Sequence, residues 1–178
     1  MKPRRDELGL DEIDRRILVL LQTDCKTPLA KVGEKVGLSA PSVVERVRKL
    51  EAEGFITGYH AQIDARRLGM DITAFIGVSI GHPKGIAYFE KQLPNLHDVL
   101  ECHHVTGQHT LLLKVKTHDT STLEELISTI RSIEGVDRTE TMVVLSTHTE
   151  RTQVSVKYDA TPATKRTRRN GEKQIQSV

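Results

Sequence analysis

Cys102, His103, His104 and His109 bring into one short stretch the side chains best suited to a transition metal, because imidazole nitrogen and thiolate sulfur are the ligands such ions favour. On a strand, successive side chains alternate, so Cys102 and His104 would share one face while His103 takes the other. A metal-responsive protein using Cys102 and His104 is therefore one reading, but the spacing completes no full ligand set and the expectation is no metal site. Nucleophilic chemistry is poorly served. The chain carries no Ser/His/Asp set, no phosphate-cradling glycine loop and no metalloprotease motif. The expectation is a protein that is not an enzyme and has no resident cofactor.

A second constellation runs from Gly37 to Lys49, and its chemistry is that of a nucleic-acid contact. On a helix beginning after Ser39, Val43, Val47 and Leu50 fall on one face. Ser42, Glu45 and Lys49 fall on the other, with Pro41, Arg48 and Arg46 at its edges. Ser39, Ala40, Pro41 and Ser42 are the small and hydrogen-bonding residues expected where a recognition helix meets base edges. Free N–H groups at a helix start favour phosphate, and Arg46, Arg48 and Lys49 supply cations for it. Glu45, Glu51 and Glu53 dilute this charge, and a basic helix face is often only solvated. What favours duplex DNA is the conjunction of three short helices, a tight Gly37-Leu38-Ser39 turn and a polar start to the last helix. Lys2, Arg4 and Arg5 could add phosphate or minor-groove contacts, or form a solvated tail.

The elements that must position these residues follow from periodicity. Ile13, Ile17, Leu20 and Leu21 make a helical stripe after Asp11, an acceptable N-cap. Leu29, Val32 and Val36 repeat the pattern after Thr27-Pro28, and Gly37 and Gly54 close the second and third helices. From Ile72 the period becomes two, with Ala74, Ile76 and Val78 alternating against Phe75, Gly77 and Ser79. Ile86, Phe89 and Leu93 are helical again. Strands are expected over Val99–Val105, Thr110–Lys116 and Val136–Ser146. Between the last two lies a helix with Leu123, Leu126, Ile127 and Ile130 in one stripe, opened by a capping box at Ser121-Thr122-Leu123-Glu124. The resulting β-α-β, β-α-β order is the ferredoxin-like arrangement, in which both helices cover one sheet face. Leu111, Leu112 and Leu113 put apolar groups on both faces, so a second subunit is the economical cover for the other.

The fold class expected is α+β: a three-helix (winged-type) helix-turn-helix over residues 1–58 and a hinge or linker strand over 59–71. A ferredoxin-like βαββαβ effector and oligomerisation domain follows over 72–150. Residues 151–178 are expected to hold an edge strand at Val154–Tyr158 and then a basic disordered tail with Lys165, Arg166, Arg168, Arg169 and Lys173. Across 178 residues the net charge is only +2, too mild to argue for nucleic acid without the local pattern. Two cysteines in different halves make no disulfide framework, and no apolar run approaches the roughly 20 residues of a membrane span. A soluble, cytoplasmic protein is expected, without a membrane partner.

Several motifs then converge. Leu10 to Leu18 (LDEIDRRIL), Val36-Gly37-Leu38-Ser39 and Arg46 to Ile56 (RVRKLEAEGFI) resemble the Lrp/AsnC family of feast/famine regulators. So do Gly58-Tyr59, Leu68-Gly69 and Glu101 to Gly107 (ECHHVTG), in family order over about residues 8–150. The resemblance implies a sequence-specific DNA-binding transcription regulator, a homodimer paired through its sheet, and a higher oligomer such as an octamer. It also implies an amino acid or related small molecule as effector, met by Val105, Thr106, Gly107, Gln108 and His109 and by Thr139 and Thr141. Loop N–H groups and threonine hydroxyls suit a carboxylate. Family members that bind amino acids often carry an acid three positions after the loop glycine, followed by an aromatic. Here Thr110 and Leu111 stand there, which implies an altered or weakened effector preference. A sensing module that does not bind DNA is the remaining alternative.

Overall fold

The computed structural model describes residues 9–157. Lys2, Arg4, Arg5 and the basic segment from Tyr158 on lie outside the described residues. The chain divides into two units, one formed by the residues up to His60 with the segment from Arg151, the other by Ala61–Glu150.

In the first unit, α1 spans Glu12–Thr23, α2 Leu29–Val36 and α3 Ala40–Ala52. Each buries the apolar stripe read from its sequence: Ile17 and Leu21 from α1, Val32 and Val36 from α2, Val43, Val47 and Leu50 from α3. Asp11 caps α1 in a reciprocal box with Asp14. At the start of α2, Pro28 stands at the cap and Thr27 does not cap; its hydroxyl donates to Asp24 Oδ2 instead. The α2–α3 turn closes on Gly37, whose φ of 75° is the left-handed conformation glycine adopts freely. There the Leu38 amide donates to the Gly33 carbonyl (2.9 Å). Gly33 is itself required, since a Cβ on it would stand 2.5 Å from the Leu38 carbonyl oxygen.

The expected wing is absent among the described residues of this unit. After α3, the Phe55 and Ile56 amides both donate to the Leu50 carbonyl (2.9 and 3.1 Å), which turns the chain back onto the helical core instead of out into a hairpin. The expected linker strand is also absent. Residues 57–64 form no ladder, and Ala65–Leu68 is a 3₁₀ turn started by Asp64 and ended by Gly69 at φ 78°. The expected edge strand at Val154 is not formed either, because Val154 is taken by Gln22 of α1; Tyr158 falls outside the described residues.

In the second unit, β1 (Ile72–Ile80), α4 (Pro83–Gln92), β2 (Val99–His104), β3 (Leu111–Thr117), α5 (Thr120–Arg131) and β4 (Val136–Val143) follow in order. The sheet runs β2-β3-β1-β4, with every neighbouring pair antiparallel. This is the ferredoxin-like order. Ala74, Ile76, Val78, Leu111, Leu113 and Val115 face Phe89 of α4 and Leu123, Leu126 and Ile130 of α5. Asp119 opens α5 in a box with Thr122, two residues ahead of the box expected at Ser121, because Asp119 already offers its carboxylate to the Thr122 amide (2.8 Å). One irregularity interrupts the ladder: Ser79 pairs with Arg138, but Ile80 pairs with Val136, so Asp137 is an inserted residue at the start of β4.

Candidate nucleic-acid interface and effector region

The side chains that sink α3 into its unit also decide which side is left outside. Val43 and Val47 are one turn apart on the inner face, and Leu50 follows at helical spacing. Pro41, Glu45, Arg48 and Lys49 are exposed as a result, as is Ser39; Ala40, Ser42 and Arg46 are half-buried. Ser39 is the helix cap, accepting from the Ser42 amide (3.4 Å), and the two serine hydroxyls lie 2.9 Å apart. Proline in the first turn costs no hydrogen bond there. The start of α3 is thus a preformed polar tip.

Arg46 departs from expectation. Its guanidinium donates to Asp11 Oδ2 and Asp14 Oδ1, both at 2.6 Å, so its charge is spent inside the unit, holding α3 to the start of α1. Partial burial pushes the Asp11 carboxyl up. The Asp14 amide and the Arg46 guanidinium outweigh that and hold it below its ordinary value. The hydrogen bonds to Asp14 and then Asp11 raise Arg46 in turn. The cations left on the exposed face are Arg48 and Lys49, the latter only loosely paired with Glu53 at 3.8 Å. Asp14 was legible as a problem. It stands on the same helical stripe as Ile17 and Leu21, and a carboxylate placed there needs a partner.

In the second unit, the loop between β2 and β3 is closed by hydrogen bonds from the Val105 amide to the Thr110 carbonyl (3.1 Å) and from the Thr110 amide to the Val78 carbonyl (2.9 Å). The Thr110 hydroxyl accepts from the Ile80 amide (3.0 Å) and lies 3.4 Å from the Ile80 carbonyl. Thr106, Gly107 and Gln108 are exposed at the tip, with Gly107 at φ 119°. His109 folds back over β1. A Cβ on Gly77 would lie 2.4–2.7 Å from its ring, so the imidazole occupies the space glycine leaves. Its Nδ1 is 3.4 Å from Ser79 Oγ and its Nε2 is 3.5 Å from Glu140 Oε2.

The register divides the expected effector set. Thr139 pairs with Val78 and Thr141 with Ile76, which places both threonines on the helix-covered face. Glu140, opposite Gly77, shares the other face with His109. Sequence reasoning missed Gly77, Ser79 and Glu140. A lone glycine inside an alternating strand was the available signal.

Within the run Cys102-His103-His104, Cys102 and His103 have separate roles. Cys102 packs against the helix-covered core, and burial, helped by the charge of Glu90, pushes its thiol up, away from the thiolate a metal needs. His103 points to the opposite face, 3.1 Å from Glu101 Oε2. Among the described residues, no helix is long and apolar enough to cross a membrane.

A helix-turn-helix with an exposed polar rod, in one chain with a ferredoxin-like unit, defines a class: DNA-binding regulators of transcription. Residues 10–51 match the AsnC-type helix-turn-helix domain, and residues 73–154 match the Lrp/AsnC ligand binding domain. The chain is 35% identical over 150 residues to the HTH-type transcriptional regulator FL11 of Pyrococcus abyssi, covering 84% of this chain and 99% of that one. AsnC of Escherichia coli superposes with a TM-score of 0.76 at 30% identity, over 81% of this chain and 97% of its own. A feast or famine regulatory protein from Mycobacterium tuberculosis, solved with L-methionine, gives 0.77 at 30% identity, over 82% and 99%. The chain belongs to the Lrp/AsnC family of transcription regulators. Its match at residues 10–51 disfavours the alternative of a sensing module without DNA binding.

Proposed function

We propose that α3 enters the major groove of duplex DNA, with Ser39, Ala40, Pro41, Ser42 and Glu45 at base edges and Arg48 and Lys49 on flanking phosphates. The observation that carries this is the exposure of Pro41, Glu45, Arg48 and Lys49 over the buried Val43, Val47 and Leu50. Arg46 is assigned to holding α3 in place. The test is salt-dependent binding of a promoter duplex by an Arg48→Ala/Lys49→Ala variant. The expected result is weaker binding, with a log–log slope flatter by about 0.9 for each phosphate that the variant no longer neutralises. An unchanged slope removes α3 from the interface.

The ligand of the second unit is an amino acid or a close relative of one. The L-methionine bound by the M. tuberculosis relative supports this class. Its carboxylate is met by the loop of Val105, Thr106, Gly107, Gln108 and His109. Thr139 and Thr141 contribute only from the far face of the sheet, by way of a neighbouring subunit. The Thr110 hydroxyl, bonded to Ile80, is no anionic partner for an ammonium group, so affinity is weak. Calorimetric titration with each proteinogenic amino acid tests this; tight binding of several would refute it. The chain works in the cytoplasm as a homodimer or a larger ring, with Phe75, Leu112 and Met142 of the uncovered sheet face at the subunit contact. Light scattering on the intact chain measures the assembly, and a monomer would exclude it.

A further inference from the structure

The stripe of α3 assigned to DNA runs through Ser42, Glu45 and Lys49 at helical spacing, and its polar groups differ in what they still offer. The Ser39 and Ser42 hydroxyls lie 2.9 Å apart and serve the cap at the start of the helix. Glu45 is exposed, about 7.5 Å along the axis from Ala40. The two cations best placed to neutralise it point elsewhere. Arg46, the next residue, donates at 2.6 Å to Asp11 and Asp14, and Lys49, one turn on, lies 3.8 Å from Glu53. Among the described residues, no hydrogen bond or ion pair reaches the Glu45 carboxylate.

An unneutralised carboxylate brought against a polyanion weakens binding unless it meets a hydrogen-bond donor. Ionised, it only accepts. In the major groove, guanine offers the acceptors O6 and N7, thymine the acceptor O4 and a methyl group, and adenine sets its N6 donor beside the N7 acceptor. Cytosine presents the amino donor N4 with no acceptor beside it on the same base. We infer that Glu45 is the specificity-determining residue of α3: its carboxylate accepts from cytosine N4 and selects a C·G pair at one position of each half-site. The inference rests on the reading that α3 enters the major groove, and it adds which base pair is chosen there. Arg48 and Lys49 hold the backbone, which carries no sequence. Thymine is the base most strongly rejected, because its O4 stands where cytosine carries N4, and two acceptors would then face each other.

The experiment lets the full chain, Glu45→Ala and Glu45→Gln each select from a pool of duplexes with a randomised core, with thermal melts to check that the variants stay folded. The pool kept by the parent should carry one cytosine-dominated position per half-site. Changing that C·G pair to T·A should weaken the parent about tenfold by fluorescence anisotropy. Glu45→Ala should lose the distinction and bind the unselected pool more tightly than the parent does, since a repulsive charge has gone. Glu45→Gln should move the same position from cytosine to adenine, because a side-chain amide donates to N7 and accepts from N6. The log–log salt slope of either variant should stay within about 0.9 of the parent's, the worth of a single phosphate contact. A larger change would place Glu45 at the backbone and overturn the proposal. Identical base preferences in all three proteins would also overturn it, while leaving α3 as a DNA-binding helix. So would a Glu45-dependent position that favours any other base. A parent that enriches no sequence and binds no duplex even at low salt defeats the underlying reading of α3 itself.

Discussion

Arg46 of α3 and Asp14 of α1 meet at 2.6 Å, with the carboxylate side chain 7% exposed and the guanidinium 31% exposed. A charge that sequence reading assigns to DNA is therefore the clasp that holds the recognition helix in place. The two roles predict opposite outcomes. Arg46→Ala leaves Asp14 without its cation and should destabilise the helical unit by about 1–3 kcal/mol, reduced from the fully buried case by the exposure of Arg46. Arg48→Ala should shift stability by less than about 0.5 kcal/mol. Thermal or urea melts of the two variants make the comparison. Equal melting for both would return Arg46 to the DNA-facing set.

Acid should loosen the same clasp. The Asp11 carboxyl titrates below its unfolded value, so its contribution is fully present above about pH 4 and is lost as pH falls through the lowered folded value. Asp11→Asn keeps a good N-cap and removes the charge. The stability gap between parent and variant, measured by urea melts, should be constant from pH 7 to about 5 and narrow below about 4. A gap that widens with acid contradicts the assignment.

At the α2–α3 turn two glycines make different demands. Gly33→Ala drives a Cβ to 2.5 Å from a backbone oxygen, which cannot swing aside. Gly37→Ala meets open space but must adopt φ 75°. We expect Gly37→Ala to cost about 1 kcal/mol and Gly33→Ala about 2–3 kcal/mol. Chemical denaturation ranks them, and the reverse order would show that the turn relaxes more readily than its geometry implies.

Gly77 and His109 should behave as a coupled pair. Gly77→Ala is expected to destabilise by about 1–3 kcal/mol by displacing the imidazole. Adding His109→Ala should recover more than half of that loss. A double-mutant cycle reads the coupling, and strict additivity would mean that the ring does not rest on Gly77.

How much of this was legible depends on whether the cause is local. Ile17, Val32, Val43 and Val47 announce their helices by period, and Ala74, Ile76 and Val78 announce β1, because burial on one face writes itself into nearby sequence. Gly37 and the polar start of α3 were readable for the same reason. The destination of Arg46 was not, since its partners belong to a different helix. Nor was the split of Thr139 and Thr141 from His109, because cross-strand register is set by tertiary pairing. The family resemblance implies a linker strand, but Asp64 and Gly69 turn Ala65–Leu68 into a short helical turn. Val154 departs from its expected strand because a single glutamine on α1 supplies the hydrogen bonds a strand would have found in a sheet.

Asp137 works as a phase shifter. Val136 and Thr139 are an odd number of residues apart, yet by pairing with Ile80 and Val78 they point the same way, toward the helices. The spare residue between them absorbs the parity. Pair it regularly instead of bulging it, and β4 can seat Val136 in the apolar interior or present Glu140 to His109, but not both, because the two are four residues apart. The bulge lets a single strand finish the interior on one side and set a charge beside the imidazole on the other.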